Sequence, residues 1–378
     1  MKKLSLLVLL AAMALLPGCK KKNRASDGAD VPSGPKTGYK NSALAFRSSA
    51  TDADGDSVAI RFDWGDGDTS GWSGLVESDA SVSDSHRWVL ADTFETRAQA
   101  KDAAGTASDW SEPFAVAIIG GWTRTFGGAG DEHGQAVVQS ADGGYVVAGY
   151  ADSYGAGSGD AYLIKTDAFG NQGWVKTFGG TEWDACYSVQ QTSEGGYILL
   201  GASASYRADF WLVKTDADGN QDWAKGFGET GWGQGRSVQQ TNDGGYILVG
   251  TTCLLWPDSG DIWLIKTDAS GNQTWAKTFG GNLYDCGRSV RQTADRGYIV
   301  VGSTESFGAG SFDVYLLRTD ANGDTLWTRT YGGAADDVGN SVRQTTDCGY
   351  IVTGTTASYG AGKEDIWLIR TDANGNVE

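Results

Sequence analysis

The chain has 378 residues, of which 47 are acidic and 30 are Lys or Arg, so its formal net charge is −17. Such an acidic chain repels phosphate backbones, which argues against nucleic acid as a partner. Its two histidines, His86 and His133, are too few for a His-rich metal site. The length accommodates two folded domains and a leader.

The leader is an apolar run from Leu4 to Leu16 that follows a basic start and ends at Cys19. The run is too short to span a bilayer, and its flanks are typical of a secretory signal. The segment resembles a bacterial lipoprotein signal with its lipobox. That resemblance implies cleavage after residue 18 and a lipid on Cys19 that holds the mature protein on a membrane. An ordinary signal peptide is the alternative.

Residues 19–37 are predicted to form a flexible tether, because three lysines are followed by a mixture of Ser, Gly, Asp and Pro. The positive charges are suited to anionic headgroups. Lys20 directly follows Cys19, which resembles the sorting pattern of diderm bacteria and implies the outer membrane. We therefore expect the chain in the cell envelope, with its lipid in that membrane.

A different composition begins near residue 38 and continues to about residue 118. Four stretches occur there in a fixed order: Thr51–Asp56, Phe62–Gly67 with its Trp-Gly-Asp-Gly core, His86–Trp88 and Gln99–Asp102. Together they resemble a PKD domain, which implies an immunoglobulin-like β-sandwich. Domains of this family act as spacers and adhesion modules on surface and secreted proteins, sometimes beside catalytic domains.

Alternating carboxylates in this segment suggest calcium, which prefers clustered oxygen ligands. Asp52, Asp54 and Asp56 are the candidates. Ser57 stands where the loop of an EF-hand requires Gly, so turn chemistry explains the pattern better. We predict no cofactor.

Five copies of one segment fill residues 120–378. Each begins at a Trp, and successive Trp residues are 52, 49, 52 and 52 positions apart: Trp122, Trp174, Trp223, Trp275 and Trp327. A period near 50 is typical of propellers and solenoids. In one copy, four runs rich in β-branched and aromatic residues predict strands: Trp275–Phe279, Arg288–Gln292, Tyr298–Val301 and Asp313–Thr319. Four such strands make a propeller blade.

The last copy lacks its fourth strand, and Trp122–Phe126 at the start of the array has the sequence of one. Pairing that segment with Asp365–Thr371 removes both exposed sheet edges. The predicted fold is therefore all-β, a PKD-type β-sandwich followed by a five-bladed β-propeller closed by its N-terminal strand. The alternative is a fragment of a longer array with an open edge.

The copies resemble the Trp-x-Lys-Thr-Phe-Gly-Gly repeats of bacterial and archaeal surface proteins, a loosely Kelch-like group without one common activity. In an up-and-down blade, alternate connections emerge on the same side. The nearly invariant Gly-Gly and Thr-Asp-Ala-x-Gly turns therefore share one side, and both divergent loops share the other. Variation that collects on one side of a repeat protein indicates the binding side.

Two positions in the divergent loops provide candidate ligand residues. The position nine residues past each Trp is Asp131, Trp183, Trp232, Tyr284 or Asp336. The second position is always aromatic, with Tyr154, Tyr206, Trp256, Phe307 and Tyr359, a pattern that favours packing of the loops onto the blades over ligand binding. Our ligand candidates are the first set together with Trp256.

Evidence for catalysis is weak. His133 beside Asp131 and Glu132 is a lone candidate base, and carboxylate pairs such as Asp336 and Asp337 occur by chance in acidic chains. We therefore predict a non-enzymatic, membrane-anchored binding or adhesion module that recognises a glycan or an envelope protein. The alternatives are a polysaccharide hydrolase or lyase, and a structural subunit of a surface assembly.

Overall fold

The computed structural model describes residues 26–228, 233–252 and 260–377. Within these ranges the protein is all-β, and no helix is long and apolar enough to cross a membrane. The chain divides into two compact units, Met1–Gly121 and Trp122–Glu378. The predicted leader, with Cys19, lies outside the described residues, as do two ligand candidates, Trp232 and Trp256.

The first unit contains six strands: β1 (Thr37–Tyr39), β2 (Leu44–Ser48), β3 (Val58–Asp63), β4 (Val82–His86), β5 (Thr93–Asp102) and β6 (Phe114–Ile119). A four-stranded sheet has the order β1-β6-β5-β3, and β2 pairs with β4 in a second sheet. Among the pairings of these described strands, β1–β6 is parallel and the others are antiparallel.

The core of the first unit is rich in aromatic rings. Trp88 is fully buried, and its indole Nε1 donates a hydrogen bond to the Trp64 carbonyl at 3.1 Å. Phe46 packs edge-on against Trp88 with 5.9 Å between ring centroids. Buried aromatics contribute large apolar areas, and the indole N–H is satisfied by the backbone. The Trp88 side chain therefore holds the Trp-Gly-Asp-Gly turn through the carbonyl of Trp64.

The second unit contains five antiparallel sheets. The first holds β7 (Glu132–Gln139), β8 (Tyr145–Ala151), β9 (Asp160–Thr166) and β10 (Gln172–Phe178); the second β11 (Asp184–Gln191), β12 (Tyr197–Ser203), β13 (Ala208–Thr215) and β14 (Gln221–Phe227); the third β15 (Gln234–Gln240), β16 (Tyr246–Thr251), β17 (Ile262–Thr267) and β18 (Gln273–Phe279); the fourth β19 (Asp285–Gln292), β20 (Tyr298–Thr304), β21 (Asp313–Thr319) and β22 (Thr325–Tyr331); the fifth β23 (Asp337–Gln344), β24 (Tyr350–Thr356) and β25 (Asp365–Thr371). The predicted four-strand pattern is confirmed in the copies that begin at Trp174, Trp223, Trp275 and Trp327, whereas the segment Trp122–Phe126 of the first copy forms no strand.

Neighbouring sheets pack face to face. We call the side of a sheet that contacts the following sheet its forward face, and the side that contacts the preceding sheet its rear face. Between the third and fourth sheets, Ile262 and Leu264 of the forward face meet Val290, Tyr298 and Leu317 of the rear face. All of these are buried, so each junction is an apolar layer.

The recurring Trp and Gln residues hold the junctions together. Trp174 in β10 lies edge-on to Tyr197 of the next sheet at 6.0 Å and covers Gly219. The amide N–H of Ala141 donates a hydrogen bond to Gln191 Oε1 in the next sheet at 2.8 Å. Equivalent backbone donors at 193, 242 and 294 use Gln240, Gln292 and Gln344. The repeated motif therefore encodes contacts between sheets.

The predicted closure of the ring is not formed. Residues 120–131 contain no strand, and the fifth sheet has three strands, with β25 paired to β24 alone. Successive first strands pack together from β7 through β23, but no comparable packing joins β23 to β7 within the described residues. The fourth-strand segment therefore lies at the opposite end of the open array from the edge that it was predicted to pair with.

Candidate functional site

The first strand of each sheet in the second unit contains a β-bulge, which directs one side chain out of the ladder. These first strands are β7, β11, β15, β19 and β23. Register shifts occur at Gln135, Tyr187, Arg236, Arg288 and Asn340, each immediately before the conserved Ser/Ala-Val pair. Bulges often re-aim side chains beside functional sites. Because the first strands pack against one another, these five residues form a row across the sheets, which we call the bulge row.

Aromatic rings connect the divergent loops to the bulge row. Trp183 lies 5.8 Å from Tyr150 and 6.5 Å from Tyr187 between ring centroids. The guanidinium of Arg236 lies over the Tyr187 ring at 4.6 Å. His133 stacks on Tyr150 at 4.7 Å. The first three sheets thus share one continuous aromatic and basic surface.

Arg288 extends this surface to the fourth and fifth sheets. Its Nη1 donates a hydrogen bond to Asn340 Oδ1 at 3.3 Å. Burial raises the pKa of the Tyr284 phenol, while the charges of Arg236 and Arg288 act in the opposite direction. Neither Arg forms an ion pair with a carboxylate in the described parts of the chain. Within the described residues, two cations without a carboxylate partner therefore lie beside aromatic rings on an acidic protein.

The structure distributes the predicted ligand residues unevenly. Trp183 and Tyr284 lie with the bulge row. Asp131 is exposed, and its carbonyl accepts the N–H of Asp152. Asp336 performs the same backbone role for Ala357. The carbonyls of Trp183 and Tyr284 accept equivalent bonds, so this backbone role belongs to the position in every described copy. The structure places the side chains of its aromatic members beside the bulge row.

The second aromatic position packs onto its own sheet in every described copy. Tyr154 stacks on Tyr162 at 5.3 Å, and Phe307 stacks on Tyr315 at 5.7 Å. Tyr206 and Tyr359 contact Trp211 and Trp367 of their own sheets with tilted rings. These contacts account for the recurrent aromatic residue without a ligand.

Tyr187, Arg236 and Arg288 were not among the site residues predicted from the sequence. The signal was present, since a copy-specific residue precedes an otherwise constant Ser-Val pair in these copies. These residues lie inside strands, where side chains are expected to alternate strictly between the two faces. A bulge breaks that alternation, so the pattern did not indicate a shared site.

A separate cleft of about 530 Å³ lies beside the conserved turns of the third and fourth sheets. Trp275, Tyr298, Lys266 and Arg296 are among its lining residues. Lys266 Nζ forms an ion pair with Asp243 at 2.9 Å, and burial raises the pKa of Tyr298 to about 12. Most of this lining recurs in other copies; Arg296 is specific to this one and has a positive φ of 70°.

The acidic turns of the first unit are explained by local hydrogen bonds. Asp52 Oδ1 accepts the N–H groups of Asp54 and Asp56 at 2.9 and 3.1 Å. This is the turn chemistry expected of Asp.

One group of three possible metal ligands occurs among the described residues, formed by Asp66, Asp68 and His86. His86 Nε2 lies 2.7 Å from Asp66 Oδ2, and the imidazole stacks on Trp64 at 5.1 Å. The hydrogen bond and the stacking together explain the position of the His ring.

Pairs of carboxylates recur at the junctions between sheets. A β-carbon placed on Gly179 would meet Asp160 Oδ1 at 2.2 Å and Asp184 Oδ2 at 2.5 Å, and Gly280 and Gly332 lie between equivalent pairs. Backbone N–H groups of residues 156 and 157 donate to Asp160. Because the arrangement repeats at three junctions, we interpret it as structural rather than as a glycosidase pair.

Replacing Asp160 with Asn is expected to stabilise the protein at neutral pH. Burial, together with the neighbouring Asp184 charge, raises the pKa of Asp160. A carboxyl whose pKa is raised by folding destabilises the fold once pH exceeds its unfolded value of about 3.9. We expect the melting temperature to rise by about 2–4 °C at pH 7, the shift produced by about 1 kcal/mol.

The difference between Asp160→Asn and wild type should shrink below pH 4, where Asp160 is protonated in both states. Thermal melts at pH 3.5 and pH 7 measure this dependence. An equal or larger gain at pH 3.5 would contradict the electrostatic explanation.

No protein-family model matches the chain, and no curated protein matches it. Among solved structures, it is similar to the PKD domain of an M14-like peptidase from Thermoplasmatales archaeon SCGC AB-540-F20, at 32% sequence identity and a TM-score of 0.23. The similarity covers 25% of this chain and 98% of that domain. The structural likeness is weak.

Proposed function

We propose that the chain is a binding or adhesion module of the cell envelope and that its ligand is a saccharide bearing carboxylate groups. The bulge row with Trp183 and Tyr284 forms the proposed site. The observation that carries this proposal is a pair of guanidinium groups, Arg236 over the Tyr187 ring and Arg288 beside Asn340, that form no ion pair with a carboxylate among the described residues of a chain of net charge −17.

Each component of the site matches one chemical feature of such a ligand. Aromatic rings provide rigid apolar area against which a sugar ring packs. A guanidinium binds a carboxylate through two parallel hydrogen bonds, with more specificity than an ammonium. Asn340 and Gln135 supply neutral donors and acceptors for hydroxyl groups. The proposal involves no catalytic step and no cofactor.

The rest of the proposed architecture is the one predicted from the sequence. The five sheets are taken as propeller-type blades whose divergent loops surround the site. The first unit, with the motifs of a PKD domain, acts as a spacer. A lipid on Cys19 and the tether hold both units at the membrane, with the outer membrane expected. An envelope protein as ligand is the other outcome that the experiment addresses.

Calorimetric titration of the full chain, carrying Cys19→Ala to prevent lipidation, tests the proposal. The probes are oligogalacturonates and neutral oligosaccharides of equal length. We expect binding of the acidic series only. Arg236→Gln should weaken this binding by tenfold or more, since hydrogen bonds to charged groups contribute about 1.5–3 kcal/mol.

Tyr187→Ala should also weaken binding, because it removes a ring of the site and the platform under Arg236. Arg47→Gln, a change of an exposed Arg in β2 of the first unit, serves as the matched control and should have no effect. Absence of binding by the folded protein to both series would overturn the saccharide proposal. Equal affinities for acidic and neutral series would overturn the role of the guanidinium groups.

A further inference from the structure

The two ends of the sheet array expose faces that are buried everywhere else. On the forward face of the fifth sheet, Ile366 is 91% exposed and Leu368 is 66% exposed. Their counterparts in the fourth sheet, Val314 and Leu316, are completely buried. Apolar side chains of this size gain about 1.5–3 kcal/mol each on full burial. The forward face of the fifth sheet therefore lacks a rear face to cover it.

The rear face of the first sheet, at the other end of the array, has no forward face to cover it. Val137 is 66% exposed, whereas its counterparts Val290 and Val342 are completely buried. The same face contains a recess of about 140 Å³, lined by Phe126 and Ile164 among others. In the interior junctions, this space is filled by the forward face of the preceding sheet.

The fourth-strand segment is already in position on that rear face. Trp122 lies edge-on to Tyr145 at 5.7 Å and contacts Gly170. Trp327 in β22 has the same relation to Tyr350, at 5.8 Å, and to Gly375. Trp122 thus occupies the place of a fourth-strand Trp, although the third strand that would pair with it is missing from that end.

The strand that could pair with residues 122–126 is β25, at the other end of the array. In the fourth sheet, β21 pairs with β22 through Leu316↔Arg329 and Val314↔Tyr331. The repeat makes the corresponding pairs Leu368 with Arg124 and Ile366 with Phe126. One end of the array therefore presents half of a junction, and the other end presents the complementary half.

We propose that this junction is completed between two copies of the chain, joined head to tail. The forward face and β25 edge of one copy receive the rear face and residues 122–126 of the next. Four junctions of identical design within the chain provide the precedent for this interface. The contact is heterologous, because two different surfaces meet. In a dimer, each copy therefore retains one of its two faces uncovered.

Light scattering coupled to size exclusion tests the proposal on the full chain carrying Cys19→Ala. The tail-blocked variant is Ile366→Asp with Leu368→Asp, and the head-blocked variant is Val137→Asp. All three side chains are exposed within one copy, so the variants should fold normally. We expect the mass of the unblocked chain to rise with concentration, and each blocked variant to remain a monomer.

An equimolar mixture of the two blocked variants should form a one-to-one dimer and nothing larger, because each supplies the half that the other retains. Leu326→Asp, a change of an exposed apolar residue outside both faces, should leave association unchanged.

A monomeric unblocked chain at about 100 µM would overturn the proposal. If the tail-blocked variant were also less thermostable than that monomer, closure within one chain would replace association between copies. A mixture of blocked variants that stays monomeric would equally exclude the head-to-tail contact. These results are independent of saccharide binding.

Discussion

Replacing Leu316 with Ala is expected to lower the free energy of unfolding of the second unit by about 2–5 kcal/mol. Leu316 lies on the forward face of the fourth sheet and is completely buried against the fifth sheet, together with Val301, Val342 and Val352. Truncation removes apolar contacts and leaves a cavity that two rigid sheets cannot fully close. Urea denaturation followed by tryptophan fluorescence measures the change.

The repeat provides a matched control one copy later. Leu368 occupies the equivalent position in β25 and is largely exposed. At submicromolar concentration, Leu368→Ala should change the free energy of unfolding by less than about 0.5 kcal/mol. If both substitutions destabilised the protein equally, the fifth sheet would have to be covered within a single chain, contrary to the open array.

Replacing Gly302 with Ala is expected to destabilise the fourth sheet by about 3 kcal/mol or more. A β-carbon at this position would lie 1.8 Å from the Cys286 carbonyl oxygen on the paired strand. The φ of Gly302 is not positive, so the requirement for Gly comes from the close approach of β19 at its bulge rather than from backbone strain. Backbone atoms cannot rotate away as a side chain could.

Gly362→Ala is the appropriate comparison, because nothing lies within 4 Å of a β-carbon at Gly362 and its φ is not positive. It should leave the denaturation midpoint unchanged. A tolerated Gly302→Ala would show that the bulge in β19 is not as tight as the structure indicates. Hydrogen exchange of amides in β19 and β20 would localise any loss of stability.

The strands and turns of the repeats could be predicted because local sequence encodes them. The run Asp313–Thr319 was predicted with the bounds of β21. Asp in the Thr-Asp-Ala-x-Gly turns accepts two backbone N–H groups, as Asp216 does from Asp218 and Asn220. These bonds join residues no more than four positions apart, so the pattern is complete within one copy.

The candidate site was predicted only in part. Trp183 and Tyr284 were identified because they lie in loops that differ between copies. Tyr187, Arg236 and Arg288 were not, because they lie within strands, where side chains are expected to alternate between faces. The bulge that re-aims them depends on pairing with the neighbouring strand, and no single copy of the repeat shows that pairing.

The sequence by itself determined the all-β class, the five copies and their four-strand pattern. Strand periodicity and turn residues depend on neighbours that are close in sequence, so these features can be predicted from the sequence. Only the tertiary structure decided which first strands meet, that the ring stays open, and that the bulge row gathers aromatic and basic side chains from successive sheets. Those features depend on the angle and register between sheets, which are set by packing of residues about 50 positions apart.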